Sequence, residues 1–441
     1  MLKPIIVGLS ALSLTTAFPW MADVPGLNPN MAKRMADERD ILKRQTKPGC
    51  YAQSCCPNNP VHPGAAPLTA QFPYLGAKNG LPATRLGNIE VPADGDTAHD
   101  FQAPGALDIR GPCPGLNTMA NHHFISHDGI TNLNEMLDAQ QNGWNVGYDL
   151  AMALAVIGIG LSGDPVTTKM SIGCDATPRT AATGSLLGQE LGIDAHNKFE
   201  ADTSLSRSDY FFNAPDDFTF NATLFAQMDK TTGANFNLVN MVKFMGQRYD
   251  DSKARNPNFY FGPKAVLLYG AASFLFRLFP NFTSGDTAPA NLQNIGPFFG
   301  AVQTNTGTTA PKFKFSGGER FPEEWHNRQH PLTLANVADD FITMYGMNPV
   351  LLGGNVGTNN FGALGTTGTG VSGVTNSKFT GATQKQIICL IYQIATENVP
   401  SSIQTSLGSL PAAVVQFAAS KLNPLSVFIN AGCPLKPVGG T

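Results

Sequence analysis

The stretch Arg110-Gly-Pro-Cys-Pro-Gly-Leu-Asn-Thr-Met-Ala-Asn-His122 decides the fold, because it places a cysteine at the predicted start of a helix. Pro112 and Pro114 fix the backbone on both sides of Cys113, and Pro114 suits the first helical position, where its missing N–H costs nothing. Apolar residues then recur at helical spacing, at Leu116, Met119 and Ala120. We therefore predict a helix that begins directly after Cys113.

Cys113 would lie where the unpaired N–H groups and the dipole of the helix favour a negative charge. That environment lowers the pKa of a thiol, and the resulting thiolate is a good metal ligand. A disulfide partner or a buried thiol is the alternative. A zinc site with the neighbouring His122, His123 and His127 is not favoured, because the spacing fits no common zinc pattern and a second cysteine is missing nearby. We expect His122 to satisfy hydrogen bonds of the core instead.

The composition indicates a loop-rich, compact protein of the kind that is secreted. The chain has 441 residues, 45 glycines and 32 prolines, and only 14% of its residues are charged. Its formal net charge is −3 and no basic patch stands out, so nucleic acid is not an expected partner. This length is typical of about two to three average domains, or of one large domain with extensions.

The N-terminus has the features of a secretory signal peptide. Met1-Leu-Lys3 carries one positive charge, and the apolar run from Ile5 to Ala17 is shorter than the roughly 20 residues of a membrane span. We predict a signal peptide at residues 1–17, cleaved after Ala17, and secretion of the mature chain. No later segment is long and apolar enough to span a bilayer. Secretion would also give meaning to two N-glycosylation sequons, at Asn221 and Asn281.

Residues 18–95 are predicted to form an N-terminal extension, because they are rich in proline, glycine and asparagine. We interpret the dibasic pairs Lys33-Arg34 and Lys43-Arg44 as part of a solvated helix face rather than as processing sites. A single large helical domain is predicted at residues 96–433, followed by a C-terminal tail at residues 434–441.

Strand-like alternation is scarce, and the apolar spacing predicts a mainly α fold. The stretch from Val146 to Ile159 is apolar almost throughout, which predicts a buried core helix. Thr131 is predicted to cap the helix before it. Residues 353–381 are predicted to form a long flexible loop, because they are rich in glycine, threonine and asparagine. Further helices are predicted in five segments: 238–249, 265–279, 331–347, 385–395 and 412–422.

The seven cysteines leave at least one thiol unpaired in a secreted chain, and Cys113 is the one that we set aside. Cys389 and Cys433 lie in the C-terminal part and could pair with each other. Three further cysteines could form a local bridge or supply a partner for Cys174, and they are Cys50, Cys55 and Cys56. The sequence alone does not fix this connectivity.

A second informative stretch is His196-Asn-Lys-Phe-Glu-Ala-Asp-Thr-Ser204, which holds two acids and a hydroxyl between Glu200 and Ser204. A carboxylate, a backbone carbonyl and a hydroxyl are hard oxygen ligands, which suit Mg²⁺ or Ca²⁺. Acid-rich stretches of this kind are also typical of solvated helix caps, so the residues alone leave both interpretations open.

Together the two stretches resemble the fungal haem-thiolate peroxidases, which include the chloroperoxidases and the unspecific peroxygenases. The resemblance is carried by Asp108-Ile-Arg-Gly-Pro-Cys-Pro-Gly-Leu-Asn-Thr-Met-Ala-Asn-His122 and by Phe199-Glu-Ala-Asp202, which is followed by Ser204 and Arg207-Ser-Asp209. Asp128-Gly-Ile and Ser171-Ile-Gly add shorter matches. The resemblance covers residues 100–285 well and reaches Cys433 more loosely.

The resemblance implies haem b as the cofactor and Cys113 as the thiolate ligand of its iron, which favours O–O cleavage. It also implies a structural Mg²⁺ near a haem propionate, held by the Glu200 carboxylate, the Ala201 carbonyl and the Ser204 hydroxyl. Ala201 departs from the glycine or histidine that is usual there, but any residue supplies the carbonyl. Three further assignments are implied: Phe199 and Phe274 line the distal pocket, and Cys389 and Cys433 form the C-terminal disulfide.

The distal acid–base group that peroxide cleavage requires is missing from the matched positions. Longer members of the family carry a glutamate on the helix after an Asn-Pro-Asn-Phe segment, here residues 256–259, and an arginine seven residues before it. The glutamate position falls on Ala271 and the arginine position on Lys264, and residues 260–282 contain no Asp or Glu. Shorter members use a glutamate together with the histidine of a Glu-His-Asp motif, and here Ala201 replaces that histidine.

We therefore expect a secreted enzyme that uses hydrogen peroxide to oxidise or oxygenate small organic substrates, apolar or phenolic, or a halide. The alternative is a haem-binding protein of the same fold with little or no peroxide turnover, because Ala271 offers no acid. The two differ in whether haem-loaded protein oxidises a simple dye when peroxide is added.

Overall fold

The computed structural model describes eight segments of the chain: residues 56–182, 190–196, 199–212, 216–304, 312–355, 357–364, 371–397 and 412–438. The predicted signal peptide, the two dibasic pairs, Cys50 and Cys55 lie outside the described residues. Within the described segments no helix is both long and apolar enough to cross a membrane.

The fold is mainly α, as predicted, and the described segments contain twelve α-helices. The first four are α1 Pro114–Asn121, α2 Leu133–Trp144, α3 Tyr148–Ser162 and α4 Thr177–Thr180. The next four are α5 Ala222–Thr232, α6 Leu238–Arg255, α7 Val266–Leu278 and α8 Leu292–Phe298. The last four are α9 Leu334–Met347, α10 Gln384–Glu397, α11 Ala412–Leu422 and α12 Ser426–Ala431.

Seven short strands form three small antiparallel sheets between the helices of the described segments. The strands are β1 Ile130–Asn132, β2 Lys169–Ser171, β3 Tyr260–Phe261, β4 Ala301–Gln303, β5 Phe313–Phe315, β6 Gly353–Asn355 and β7 Phe361–Ala363. β1 pairs with β2, β4 pairs with β5, and β6 lies between β3 and β7.

The predicted core helix is confirmed as α3, which packs against α2, α10 and α11. Apolar residues surround this helix on all sides, and a helix without a polar side is expected to be buried on all sides. Leu150, Val156 and Ile157 are among its buried residues. The helices predicted near residues 238–249, 265–279, 331–347, 385–395 and 412–422 are present as α6, α7, α9, α10 and α11.

Part of the predicted extension, residues 56–95, packs against α2. Tyr74, Leu75 and Val91 belong to the main hydrophobic core. The side-chain oxygen of Asn142 accepts hydrogen bonds from the backbone N–H groups of Leu75 and Ala77, both at 3.1 Å. The boundary at residue 95 stays a prediction, but this segment shares the core of the helical domain.

Two local predictions are wrong. The cap of α2 is Asn132, whose side chain accepts from the backbone of Asn134 and Glu135, whereas Thr131 lies in β1. The predicted loop at residues 353–381 contains β6 and β7, because glycine lets these strands approach closely. A Cβ on Gly353 would lie 2.2 Å from the carbonyl oxygen of Gly362, so the glycines are required by pairing rather than by flexibility.

The predicted disulfide Cys389–Cys433 is present, and Cys56 pairs with Cys174 rather than within its own cysteine group. The first bridge joins α10 to the residues after α12, and the second joins the chain near residue 56 to the segment before α4. Among the described cysteines Cys113 is the one outside a disulfide.

Candidate functional site

Cys113 is the N-cap residue of α1, and Pro114 is the first residue of that helix, as the two prolines predict. Residues 112–116 are all partly exposed, whereas residues 117–121 are buried. The cysteine therefore lies on a partly exposed loop, while the helix that follows it is anchored in the core against α8.

Two opposing effects act on the thiol of Cys113. Burial raises the pKa of the thiol, and this is the largest effect. Three groups act against burial and lower the pKa: the backbone N–H groups of Leu116 and Gly115 and the guanidinium of Arg207. The net shift is upward, so the prediction that the helix start lowers the pKa of this thiol is wrong: the N–H groups and Arg207 offset only part of the effect of burial.

Asn117 holds the cysteine loop in shape. Its side-chain oxygen accepts from the N–H of Gly111 at 3.0 Å, and its amide nitrogen donates to the Gly111 carbonyl at 2.9 Å. The same nitrogen also donates to Glu319 Oε1 at 3.0 Å. The ends of the loop around Cys113 are thus tied together by one buried side chain.

A buried ion pair lies behind this loop. Arg207, only 2% exposed, donates through Nε to the Pro112 carbonyl at 3.2 Å and through Nη2 to Glu319 Oε1 at 3.2 Å. Arg207 thus contacts the residue before the cysteine. Glu319 was not predicted at all, because it lies 202 residues from Asn117 in the sequence and no motif surrounds it.

One side of α7 is not fully buried, although the rest of the helix packs into the core. Leu267, Leu268, Ala271 and Phe274 follow helical spacing on this side, and Ala271 is exposed. At the start of α7 lies a small cleft of about 20 Å³. Its lining residues are Glu200, Ala201, Tyr260, Phe261, Gly262, Lys264, Ala265 and Leu268.

The predicted site residues fall on two segments. Glu200 and Ala201 line the cleft, together with Lys264, the residue at the matched arginine position. Phe199 and Phe274 are partly buried and pack against the core, and their pocket role stays a prediction. Ser204 is partly buried, and its carbonyl oxygen accepts a hydrogen bond from Arg248 Nε at 3.1 Å. The role of its hydroxyl group as a metal ligand stays a prediction.

The acid-rich stretch is buried, so the solvated-cap interpretation is wrong. His196 Nδ1 donates to Glu200 Oε2 at 2.9 Å, and Asp217 Oδ2 lies 3.9 Å from the same nitrogen. Burial, and then the charge of Glu200, raise the pKa of Asp217 to about 9. Asp202 is also fully buried, and one of its oxygens accepts from the N–H of Tyr260 at 2.9 Å. The region concentrates carboxylates where water cannot screen them.

Residues 99–330 match the family model described as peroxidase, family 2. The chain is 33% identical over 270 residues to a dothistromin biosynthesis peroxidase of Dothistroma septosporum, which is 59% of this chain and 63% of that protein. It is also 33% identical over 224 residues to an aromatic peroxygenase of Cyclocybe aegerita, which is 48% of this chain and 58% of the relative.

A chloroperoxidase of Leptoxyphium fumago is 29% identical over 227 residues, which is 49% of this chain and 57% of that protein. The chain thus covers less than two thirds of the length of each of these relatives. The matched region contains both the cysteine loop and the acid-rich stretch.

Proposed function

Because the chain belongs to peroxidase family 2, the fungal haem-thiolate peroxidases, we propose that it is a peroxidase or peroxygenase. It would use hydrogen peroxide to oxidise or oxygenate small apolar or phenolic molecules, or a halide. The observation that carries the proposal is Cys113, a free cysteine at a helix start, on a partly exposed loop that is backed by a buried arginine.

The residues around Cys113 fit a haem group. Cys113 is partly exposed, and the surrounding N–H groups and Arg207 offset part of the effect of burial on its anionic form. Bound haem would supply the iron that activates peroxide, and a thiolate ligand favours O–O cleavage. Asn117 and Arg207 would hold the sulfur in place, since both bond to the loop that carries it.

The incompletely buried side of α7 would form the substrate side of the pocket. Leu267, Leu268 and Phe274 offer an apolar surface that excludes water and suits apolar or aromatic substrates. Protons would be handled by an ionisable group of the cleft, for which Lys264 is a candidate.

Ala271 favours a second candidate, a haem-binding protein of this fold with little peroxide turnover. The residue is exposed on α7, and its methyl group can neither accept nor return a proton. In this case Lys264 and the apolar surface would bind a small molecule without efficient chemistry.

We also propose the Mg²⁺ site that the sequence implies. Its ligands would be the Glu200 carboxylate, the Ala201 carbonyl and the Ser204 hydroxyl, all of them oxygen atoms that suit Mg²⁺. The position of Glu200 and Ala201 side by side in the lining of one cleft supports this.

Secretion after removal of residues 1–17 is part of the proposal, together with glycosylation. Asn281 is partly exposed, and its Nδ2 donates one hydrogen bond to the Glu324 carbonyl. A glycan replaces one Nδ2 hydrogen and leaves the other for such a bond. Asn221 likewise donates from Nδ2 to the hydroxyl of Ser208.

Peroxide-dependent oxidation of a phenolic dye by the haem-loaded protein tests the proposed activity. We expect turnover that saturates with peroxide and exceeds that of free haem at the same concentration. A protein that retains haem but oxidises the dye no faster than free haem would instead support the second candidate.

A further inference from the structure

Trp144 lies beside the cysteine loop. A Cβ added to Gly115 would lie 3.8 Å from Cys113 Sγ and 4.0 Å from Trp144 Cζ2, so the sulfur and the edge of the indole ring approach the same point. Trp144 is the last residue of α2 and is 4% exposed. An oxidisable side chain is therefore packed next to the residue that is the proposed ligand of the haem iron.

A second tryptophan extends this contact into the core. The rings of Trp144 and Trp325 have centroids 5.3 Å apart and planes 72° apart, which is edge-to-face packing. Trp325 is fully buried, and its Nε1 donates to the carbonyl oxygens of Phe279 at 3.1 Å and Pro280 at 3.0 Å. Two carbonyl dipoles aimed at one indole N–H stabilise a positive charge on that ring, because the interior screens them weakly.

Two phenylalanine rings connect Trp144 to a buried tyrosine. The ring centroid of Phe321 is 5.0 Å from that of Trp144 and 6.0 Å from that of Phe124. The ring of Phe124 lies in turn 5.2 Å from that of Tyr74. Each step is within the roughly 4.5–7 Å between the centroids of packed aromatic pairs. An electron can cross such steps, because only a van der Waals gap separates the π systems of neighbouring rings.

Tyr74 has a base in place for its phenolic proton. Its hydroxyl donates to Asp96 Oδ2 at 2.6 Å, and His99 Nδ1 lies 2.8 Å from the same oxygen. A tyrosine that loses an electron becomes strongly acidic, so a carboxylate in hydrogen-bond contact takes up the proton and makes the oxidation easier. Tyr74 is 5% exposed, and Gly95 and Thr97 on either side of Asp96 are exposed. The pair therefore lies directly beneath the surface.

We propose that Trp144 donates electrons to the haem site, and that Trp325 and Tyr74 extend this path towards the surface. The protein then also oxidises phenols that are too large to enter the pocket, one electron at a time, beside Tyr74. This second activity rests on the proposed function, since hydrogen peroxide must first oxidise the haem site. It differs from that function in where the substrate is oxidised and in its dependence on aromatic residues outside the pocket.

Electrons and protons balance along this path. Hydrogen peroxide takes two electrons from the haem site and, with two protons from solvent, gives two molecules of water. Trp144 returns one of these electrons and becomes a radical cation, which Trp325 shares. Tyr74 then gives one electron to Trp144, and its phenolic proton passes to Asp96. A phenol at the surface supplies an electron to Tyr74 and releases its own proton to solvent, and Asp96 gives back the tyrosine proton. A second passage returns the other electron.

Electron paramagnetic resonance of the full-length, haem-loaded protein, frozen rapidly after one equivalent of hydrogen peroxide, tests the proposal. We expect an organic radical whose spectrum narrows when tryptophan or tyrosine is ring-deuterated. Trp144→Phe should abolish the tyrosine-derived signal, and Tyr74→Phe should leave a tryptophan radical only. A phenol coupled to a polymer, which cannot enter the pocket, is the substrate probe. Tyr74→Phe should lose its oxidation and retain that of a small phenolic dye.

Tyr249→Phe is the matched control. Tyr249 is also 5% exposed and donates one hydrogen bond, but to the Leu351 carbonyl at 2.8 Å, which cannot take up a proton. This variant should keep both the radical and the oxidation of the polymer-bound phenol, and loss of either to the extent seen in Tyr74→Phe would overturn the proposal.

The unaltered protein decides if the variants fold poorly: an organic radical that neither deuteration changes, or no organic radical, overturns the proposal. Peroxide consumption and dye oxidation in the same samples separate the two activities. Consumption of peroxide with dye oxidation but without a radical contradicts the aromatic path alone, whereas no consumption of peroxide contradicts the proposed function as well.

Discussion

Ala271 lies on the exposed side of α7, so a longer side chain there would extend into open space. We expect Ala271→Glu to raise kcat/KM for peroxide by about 10²-fold, the lower end of what a positioned acid–base group contributes. Initial rates of dye oxidation at varied peroxide concentration measure this. Ala271→Gln has the same shape without the acid and should stay at the starting rate, and equal rates for the two variants would contradict the assignment.

His122 is a buried histidine that the fold keeps neutral. Its Nδ1 donates to the His99 carbonyl at 2.8 Å, and its Nε2 accepts from the N–H of Phe321 at 3.2 Å. Burial is the main cause that lowers its pKa to about 4. The prediction that His122 satisfies core hydrogen bonds is confirmed.

Since the unfolded chain takes up this proton near pH 6.5 and the folded chain near pH 4, the unfolded state binds more protons between these values. The free energy of unfolding should therefore fall as the pH falls, by about 2 kcal/mol from this group between pH 7 and pH 5. Urea titrations at both pH values measure it. His122→Gln should reduce the difference in unfolding free energy between the two pH values; the same difference in both proteins would refute the prediction.

The sequence predicted residues whose chemistry is local and missed those that act over long separations. Cys113 was predicted as a helix-start ligand because its neighbouring prolines reveal the backbone around it. Asp217 and Glu319 were missed, since their importance arises from contacts with His196 and Arg207 that no spacing reveals. Tertiary structure, rather than motif, brings these charges together.

At the level of elements, the loop before α1 depends on one amide side chain. Asn117→Ala would leave the N–H and the carbonyl of Gly111 without their side-chain partners, and Glu319 Oε1 would lose the hydrogen bond that Asn117 donates. We expect a loss of about 3 kcal/mol in the free energy of unfolding, together with faster release of haem. Chemical denaturation and transfer of haem to an acceptor protein measure the two effects.

Asn240→Ala is the matched control, because Asn240 also donates two side-chain hydrogen bonds but lies on α6 in a partly exposed position. It should cost less than about 1 kcal/mol and leave haem release unchanged. If Asn240→Ala released haem as fast as Asn117→Ala, the claim that Asn117 retains haem by holding the cysteine loop would be wrong.

Helices were predicted more successfully than strands, for a physical reason. The long amphipathic and fully apolar helices leave a periodic pattern in the sequence, as in α3 and α6. β6 and β7 are three residues each and contain glycine where their backbones come close, so they resemble a flexible loop in composition. The pairing of β6 with β3, about 90 residues earlier in the chain, cannot be predicted from the local sequence pattern.

At the level of the whole molecule, the Cys389–Cys433 bridge ties α10 to the C-terminal segment across a separation of 44 residues. The double variant Cys389→Ser/Cys433→Ser should lower the free energy of unfolding by on the order of 4 kcal/mol, because the unfolded chain regains the entropy of the closed loop. Guanidinium titration measures the change. An unchanged midpoint would show that the bridge does not stabilise the domain.

The organisation of the whole molecule centres on Cys113, whose ligation of haem iron is the central claim. The reduced, carbon monoxide-bound protein should have the red-shifted Soret band of a thiolate-ligated haem, and Cys113→His should convert it to the band of a histidine-ligated haem. Haem content, measured in parallel, shows how much of each protein is loaded. The same Soret band in both proteins would contradict the claim that Cys113 binds the iron.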